Sequence, residues 1–148
     1  MDRLHVYEKR IGKYLSYFKH YVDSARMVVD VGCGAGTFSR ASARRQRLVI
    51  ALDVAGRLLE EEIKNSYVER ICADAHNLPL REGSVDCVLS ISLLEHLENP
   101  EKCMKELYRV LRHDGTAIIQ LPNLQYLFEP HTKWPLLYLL QRGFNQES

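Results

Sequence analysis

Residues 28–40 read VVDVGCGAGTFSR, and this stretch decides the fold. The run Met27–Val31 suits a strand, and it passes straight into Gly32-Cys33-Gly34-Ala35-Gly36 and then into a helix-compatible sequence. Glycines at such a turn give the backbone conformations closed to other residues and let a ligand approach with no Cβ in the way. The helix that follows aims its free amide groups and positive dipole end at the same place.

Working outward, the same alternation continues to the C-terminal third. Short apolar or β-branched runs fall at 48–52, 68–73, 85–90 and 116–121, with helical patterns at 36–45, 55–65 and 100–112 between them. Strand, helix, strand repetition with nearly continuous apolar strands predicts a parallel sheet covered on both faces. The last helix has the clearest signals: Asn99 as N-cap, Pro100 at the first helical position, and Met104, Leu107, Tyr108 and Leu111 on one face. Gly115 follows its basic end. Upstream, Leu4, Tyr7, Ile11, Tyr14, Leu15, Phe18, Tyr21 and Val22 recur at helical spacing and predict an amphipathic helix over 4–22. Its tyrosines could face a site, but packing is a sufficient account of them.

Residues 1–148 are expected to form one domain: a helical start over 1–24, a core over 26–123 and an apolar tail over 124–148. The tail reads as loop followed by a short helix over 134–141 that is apolar nearly all round. The sheet is accordingly expected to stop after its fifth strand, as if truncated. Its open edge would then be covered by the tail or by a second subunit in a homodimer.

Composition narrows the function classes. Charged residues make up 26% and the net charge is +1, which gives no global pull toward nucleic acid or an anionic membrane. No apolar stretch suggests insertion into a bilayer, Met1-Asp2-Arg3 is no secretion signal, and the expected address is the cytoplasm. Cys33, Cys72, Cys87 and Cys103 form no CxxC pair and read as reduced, small apolar residues. The cluster Arg40, Arg44, Arg45, Arg47 reads as a solvated helix face rather than an RNA contact.

Three details sharpen the glycine turn. A dinucleotide fingerprint starting at Gly32 needs a third glycine at position 37, which is Thr37. Asp30 lies two residues before Gly32, where its charge would attract a cationic ligand and repel a pyrophosphate. Asp53 ends the second strand, where a carboxylate can accept from both hydroxyls of a ribose.

Together VVDVGCGAGTFSR, IALDV, ICADAHNLPLREGSVDCVLSISLLEHL and LYRVLRHDGTAIIQLPN resemble the successive motifs of class I S-adenosylmethionine-dependent methyltransferases, closest to the small-molecule branch called type 11. The resemblance spans 27–123. It implies an α/β, Rossmann-like three-layer αβα sandwich and S-adenosylmethionine as cofactor, with S-adenosylhomocysteine as product. It also implies that Asp30, Gly32, Gly34 and Gly36 hold the methionine part and that Asp53 binds the ribose, with Val54 against the adenine. Asp74 with Ala75 would take the adenine amino group, and Ser90 would touch the cofactor through its main chain. Simpler readings stand beside these: Asp30 and Asp53 as capping or loop carboxylates, Asp74 as a turn residue before Asn77-Leu78-Pro79.

The cofactor brings an activated methyl group, so the protein's main task is to hold an acceptor in line, worth roughly 7–11 kcal/mol of barrier. His96, with Glu95 beside it after the fourth strand, is the candidate general base; capping or packing at that turn is the alternative. Relatives with E-x-x-E-H there bind metal, whereas this chain reads SLLEH with Ser92 first, so no metal is expected. Amino-directed DNA methyltransferases carry an Asn/Asp-Pro-Pro-aromatic tetrapeptide where this chain has Ser90-Ile91-Ser92-Leu93, which counts against nucleic acid. The expected function is methyl transfer to oxygen or nitrogen of a small molecule. The alternative is a catalytically weak cofactor-binding regulatory or partner subunit.

Overall fold

Five strands run side by side in one direction: β1 (Met27–Val31), β2 (Leu48–Asp53), β3 (Val68–Cys72), β4 (Val85–Ile91) and β5 (Leu111–Leu121). Their order is β3-β2-β1-β4-β5, and β6 (Leu136–Gln141) adds to β5 in the antiparallel sense. The structure, a computed structural model, describes residue 16 and residues 19–55, 67–121 and 136–141, the last as backbone. The helix expected over 55–65 lies, apart from Ala55, outside the described residues. So does most of the one over 4–22, including Tyr7, Tyr14 and Tyr17.

Each sheet face buries its own cluster, as continuous apolar strands require. On one face Val29, Val31, Ile50, Leu52, Val88 and Ile119 pack against Cys103, Leu107 and Val110 of α2 (Pro100–Val110). On the other, Val28, Val49, Ala51, Leu89 and Ile118 meet Tyr21 and Val22 from the helical segment 19–24 and Ala25 just after it. Phe38 of α1 (Thr37–Ser42) packs on that same face. The result is the expected three-layer αβα sandwich, and Tyr21 serves packing. Each fully buried Val, Leu or Ile contributes about 1.5–3 kcal/mol against the chain entropy. Among the described residues no helix is long and apolar enough to cross a membrane.

Helix boundaries follow hydrogen bonding more closely than periodicity. Asn99 does cap α2, its side chain accepting from Lys102 N at 3.0 Å, with Pro100 opening the helix. The helix ends at Val110 rather than at Arg112, because Leu111 is already extended and pairs with Val85. Gly115 is therefore no helix cap. It lies within β5, where a Cβ would come 2.9 Å from the Arg112 carbonyl oxygen. Helix α1 is also shorter than the 36–45 expected: Arg47 Nη1 donates to the Ser42 carbonyl at 2.7 Å and occupies a terminal acceptor.

The tail departs most from expectation. Residues 136–141 form a strand, not a helix, in register from Leu121↔Leu136 to Thr116↔Gln141. An all-round apolar segment has no single helical face to bury, and the open side of β5 offers a row of unpaired amide and carbonyl groups. Pairing satisfies both needs, and the sheet continues past its fifth strand.

Candidate functional site

The five parallel strands deliver their C-terminal ends to one edge, and their order reverses between β1 and β4. Ligands of open α/β sheets bind in the crevice outside such a reversal. Loops there enclose a cavity of about 520 Å³, lined by the expected residues Gly32, Asp53, Val54, Asp74, Ala75 and His96. Leu52, Ala73, His76, Leu93, Leu97 and Glu98, not anticipated from the sequence, complete the lining. Asp30, Gly34, Gly36 and Ser90 do not line it.

The turn after β1 is wired to β2. The Leu52 carbonyl accepts from Gly32 N at 2.8 Å and from Cys33 N at 3.1 Å. Asp53 Oδ2 accepts from Gly34 N at 2.8 Å, and Oδ1 from Ala55 N at 2.9 Å. Each carboxylate oxygen keeps a further lone pair for a ligand hydroxyl. Gly34, at φ +51°, would carry a Cβ with nothing within 4 Å, so its backbone is open to an incoming group. Gly32, at φ +72°, is glycine for a second reason: a Cβ there would come 2.6 Å from Leu93 Cδ1.

Asp30 sits behind this turn, only 2% exposed, and Ser39 Oγ of α1 donates to its Oδ2 at 2.6 Å. Burial pushes its carboxyl up to about 6, the Ser39 hydrogen bonds pull the other way, and the Asp53 charge adds to the rise. Asp30 is thus a buried carboxyl behind the loop and no part of the cavity wall. Cys33, half-buried, is held well above the ordinary thiol range, chiefly by burial and then by Asp30 and Asp53, and is no nucleophile.

A second loop carries Asp74. Its Oδ1 accepts from His76 N at 2.8 Å and lies 2.7 Å from His76 Nδ1. Those bonds from His76, backbone first, hold the Asp74 carboxyl below the usual carboxylate range. The turn reading and the ligand reading are therefore compatible: one oxygen closes the turn and Asp74 still lines the cavity. Farther along, Glu106 Oε2 of α2 accepts from Leu78 N at 2.7 Å. Arg109 donates to the Leu78 and Leu80 carbonyls at 3.0 and 2.9 Å, so α2 grips the loop.

The turn after β4 opens on uncharged residues. Ser92 has φ +52°, and its Oγ donates to Gln120 Oε1 of β5 at 2.7 Å. Leu93 then lies over Gly32, and residues Leu94–His96 form one 3₁₀ turn. His96 lines the cavity with its side chain 76% exposed, and Glu95 Oε1 stands 4.0 Å from Nε2, beyond hydrogen-bonding reach. The Ser90 hydroxyl is buried with no hydrogen-bond partner among the described residues.

The arginine cluster is not a uniformly solvated face. Arg47 is 5% exposed and donates to the Ala25 and Ser42 carbonyls, while Arg40 Nη1 donates to the Ala35 carbonyl at 2.7 Å and braces the glycine turn. Their long stems and planar heads find carbonyl partners that one-dimensional spacing does not reveal. Arg44 and Arg45, with Asp23 and Arg26, border a larger cavity of about 730 Å³ at the opposite, N-terminal ends of β1 and β2. That cavity has no glycine turn, and it is remote from the crevice.

A glycine turn pinned to a carboxylate on β2, at the reversal of a parallel sheet, defines an α/β nucleoside-binding domain of Rossmann-like type. Residues 29–119 match the family described as Methyltransferase domain, and the chain belongs to that family of class I S-adenosylmethionine-dependent methyltransferases. It is 33% identical over 127 residues to a Mycobacterium tuberculosis protein named "Probable S-adenosylmethionine-dependent methyltransferase", covering 84% of this chain and 46% of that one. It is 34% identical over 96 residues to a malonyl-(acyl-carrier protein) O-methyltransferase of Pectobacterium atrosepticum, covering 62% of this chain and 37% of that one. Among solved structures, the PH0226 protein of Pyrococcus horikoshii matches with TM-score 0.73 at 27% identity, over 82% of this chain and 60% of that one. The chain spans less than half the length of these curated relatives. The cofactor of the family is S-adenosylmethionine, and the residues present fit it: open backbone at Gly34, acids rather than a phosphate cradle, and Thr37 in place of a third glycine.

Proposed function

We propose that this chain transfers a methyl group from S-adenosylmethionine to oxygen or nitrogen of a small-molecule acceptor, with oxygen favoured. The observation that carries the reading is the convergence of Gly32, Asp53, Val54, Asp74, Ala75 and His96 on one cavity at the sheet reversal. The likeness to an O-methyltransferase supports oxygen. When bound, the cofactor supplies a methyl group on a cationic sulfur, already activated for transfer.

The chain's residues would divide the remaining work. The turn Gly32, Gly34, Gly36 would receive the methionine part, with Asp30 behind it favouring positive charge. Asp53 would take the ribose hydroxyls on its unused lone pairs, and Val54, 74% exposed beside it, would offer an apolar surface to the base. Asp74 and Ala75 would take the adenine amino group, and the Ser90 main chain would border the transferring end. His96 would accept the proton of a hydroxyl acceptor, worth roughly 2–4 powers of ten. Its exposure leaves it free to reorient toward that acceptor.

Calorimetry of the full chain with S-adenosylhomocysteine and with NAD, followed by acceptor screening with methyl-labelled cofactor, tests this reading. Binding of the first nucleoside alone, with label transferred to an alcohol, carboxylate or amine, is the expected result. Binding without transfer to any acceptor would favour the regulatory or partner-subunit reading. NAD binding alone would overturn both.

A further inference from the structure

The Asp74 loop contains a side chain that the cofactor assignment leaves unused. His76 lines the cavity, its backbone N–H and its ring both bond one oxygen of Asp74, and its Nε2 is buried with no hydrogen-bond partner among the described residues. With a carboxylate oxygen 2.7 Å away, Nδ1 carries the hydrogen and donates. A ring kept for packing alone would not bring a buried, unpaired nitrogen with it, since such an atom costs stability. The benefit therefore lies at Nδ1.

We infer that His76 is a positioning residue: it engages Oδ1 of Asp74 from two donors and so reserves Oδ2 for the exocyclic amino group of the cofactor's adenine. This rests on the reading of Asp74 as the adenine acceptor. A carboxylate on an exposed loop can rotate about its terminal torsion, which is broad and roughly two-fold. The side chain of Asp74 is 62% exposed, so solvent alone would not fix that rotation. Two donors on one oxygen do, and the turn beneath them is rigid: Asn77 N donates to the Asp74 carbonyl at 3.0 Å, and Glu106 and Arg109 tie Leu78 to α2. The acceptor is thereby aimed before the ligand arrives. Hypoxanthine, which has a carbonyl where adenine has the amino group, would meet a fixed carboxylate oxygen and be refused.

The test compares S-adenosylhomocysteine with S-inosylhomocysteine by calorimetry on the full chain. The wild-type protein should prefer the adenosyl compound by roughly tenfold or more, the scale of one hydrogen bond to a charged group. His76→Leu should reduce that preference to within about threefold by weakening adenosyl binding alone. His76→Asn, which keeps a side-chain donor in reach of Asp74, should restore most of it, and it keeps the test valid if the leucine variant does not fold. Equal weakening of both ligands, or an unchanged preference in His76→Leu, would overturn the positioning role. Asp74→Ala separates the two layers. If it leaves the preference intact, the Asp74 assignment itself falls; if it abolishes the preference while His76→Leu does not, only the role of His76 falls.

Discussion

The two halves of the sheet's C-terminal edge are made of different materials. On the β1–β3 side, three carboxylates stand at successive strand ends, and each is held: Asp30 by Ser39, Asp53 by the amides of Gly34 and Ala55, Asp74 by His76. On the β4–β5 side the turn opens on an uncharged pair, Ser92 bonded to Gln120, and beyond it Glu98 and the exposed His96 line the cavity. Fixed charge on one side suits a cationic nucleoside whose chemistry never changes. Under the proposed function, an exposed His96 on the other side would serve an acceptor that must arrive, react and leave.

Substitutions at four positions would break or sharpen that contrast. The largest effect should come from His96→Ala, which should lower kcat on an oxygen acceptor by roughly 2–4 powers of ten while S-adenosylhomocysteine affinity changes far less. An unchanged kcat in steady-state assays would remove the base from the β4–β5 side. Next is Asp30→Asn. The folded carboxyl titrates at about 6 against 3.8 for the free group, so the folded state keeps a proton that the unfolded chain has already released. The contribution of Asp30 to the stability of the ligand-free chain should therefore fall as pH rises from about 4 to about 6, with the full cost present above that window. In urea melts the variant should gain on the wild type across that window, by about 2–3 kcal/mol at pH 7, while binding the cationic cofactor more weakly. A difference between the two proteins that does not change between those pH values would show that Asp30 is not a strained charge.

Asp53→Ala should weaken S-adenosylhomocysteine by about a hundredfold, since it removes the ribose acceptor and unties the Gly34 amide together. A change under threefold by calorimetry would leave the charged half without its centre. The smallest effect concerns the turn after β4. Ser92→Ala and Ser92→Gly both lose the bond to Gln120, but only glycine takes φ +52° without strain. The glycine variant should melt as the more stable of the two by about 1 kcal/mol, and equal stabilities would mean the turn is relaxed.

The charged half was readable in one dimension because each element there is local: a strand, a glycine turn, an acid at a strand end. Asp53 needs only its place at the end of IALD to be found. His76 left a usable signal too, since an acid two residues before a donor is the spacing of a side-chain-closed turn. What stayed hidden depends on partners distant in the chain. Ser39 became a ligand of Asp30 only when α1 folded back on β1, and Arg47 was buried only because the Ala25 and Ser42 carbonyls awaited it. The tail went from expected helix to β6 for the same reason: its conformation is settled by the free side of β5, not by its own pattern.

Leu93 rests where a Cβ on Gly32 would stand, so the two halves share a wall one methyl group thick. Under the proposed function, a compound that shifts Leu93 on entering beside β4 would alter the shape the glycine turn offers to the nucleoside. Thermodynamic reciprocity then applies: whatever factor the nucleoside adds to acceptor affinity, the acceptor adds to nucleoside affinity. A change of leucine to a smaller residue at 93 would loosen that coupling in both directions at once.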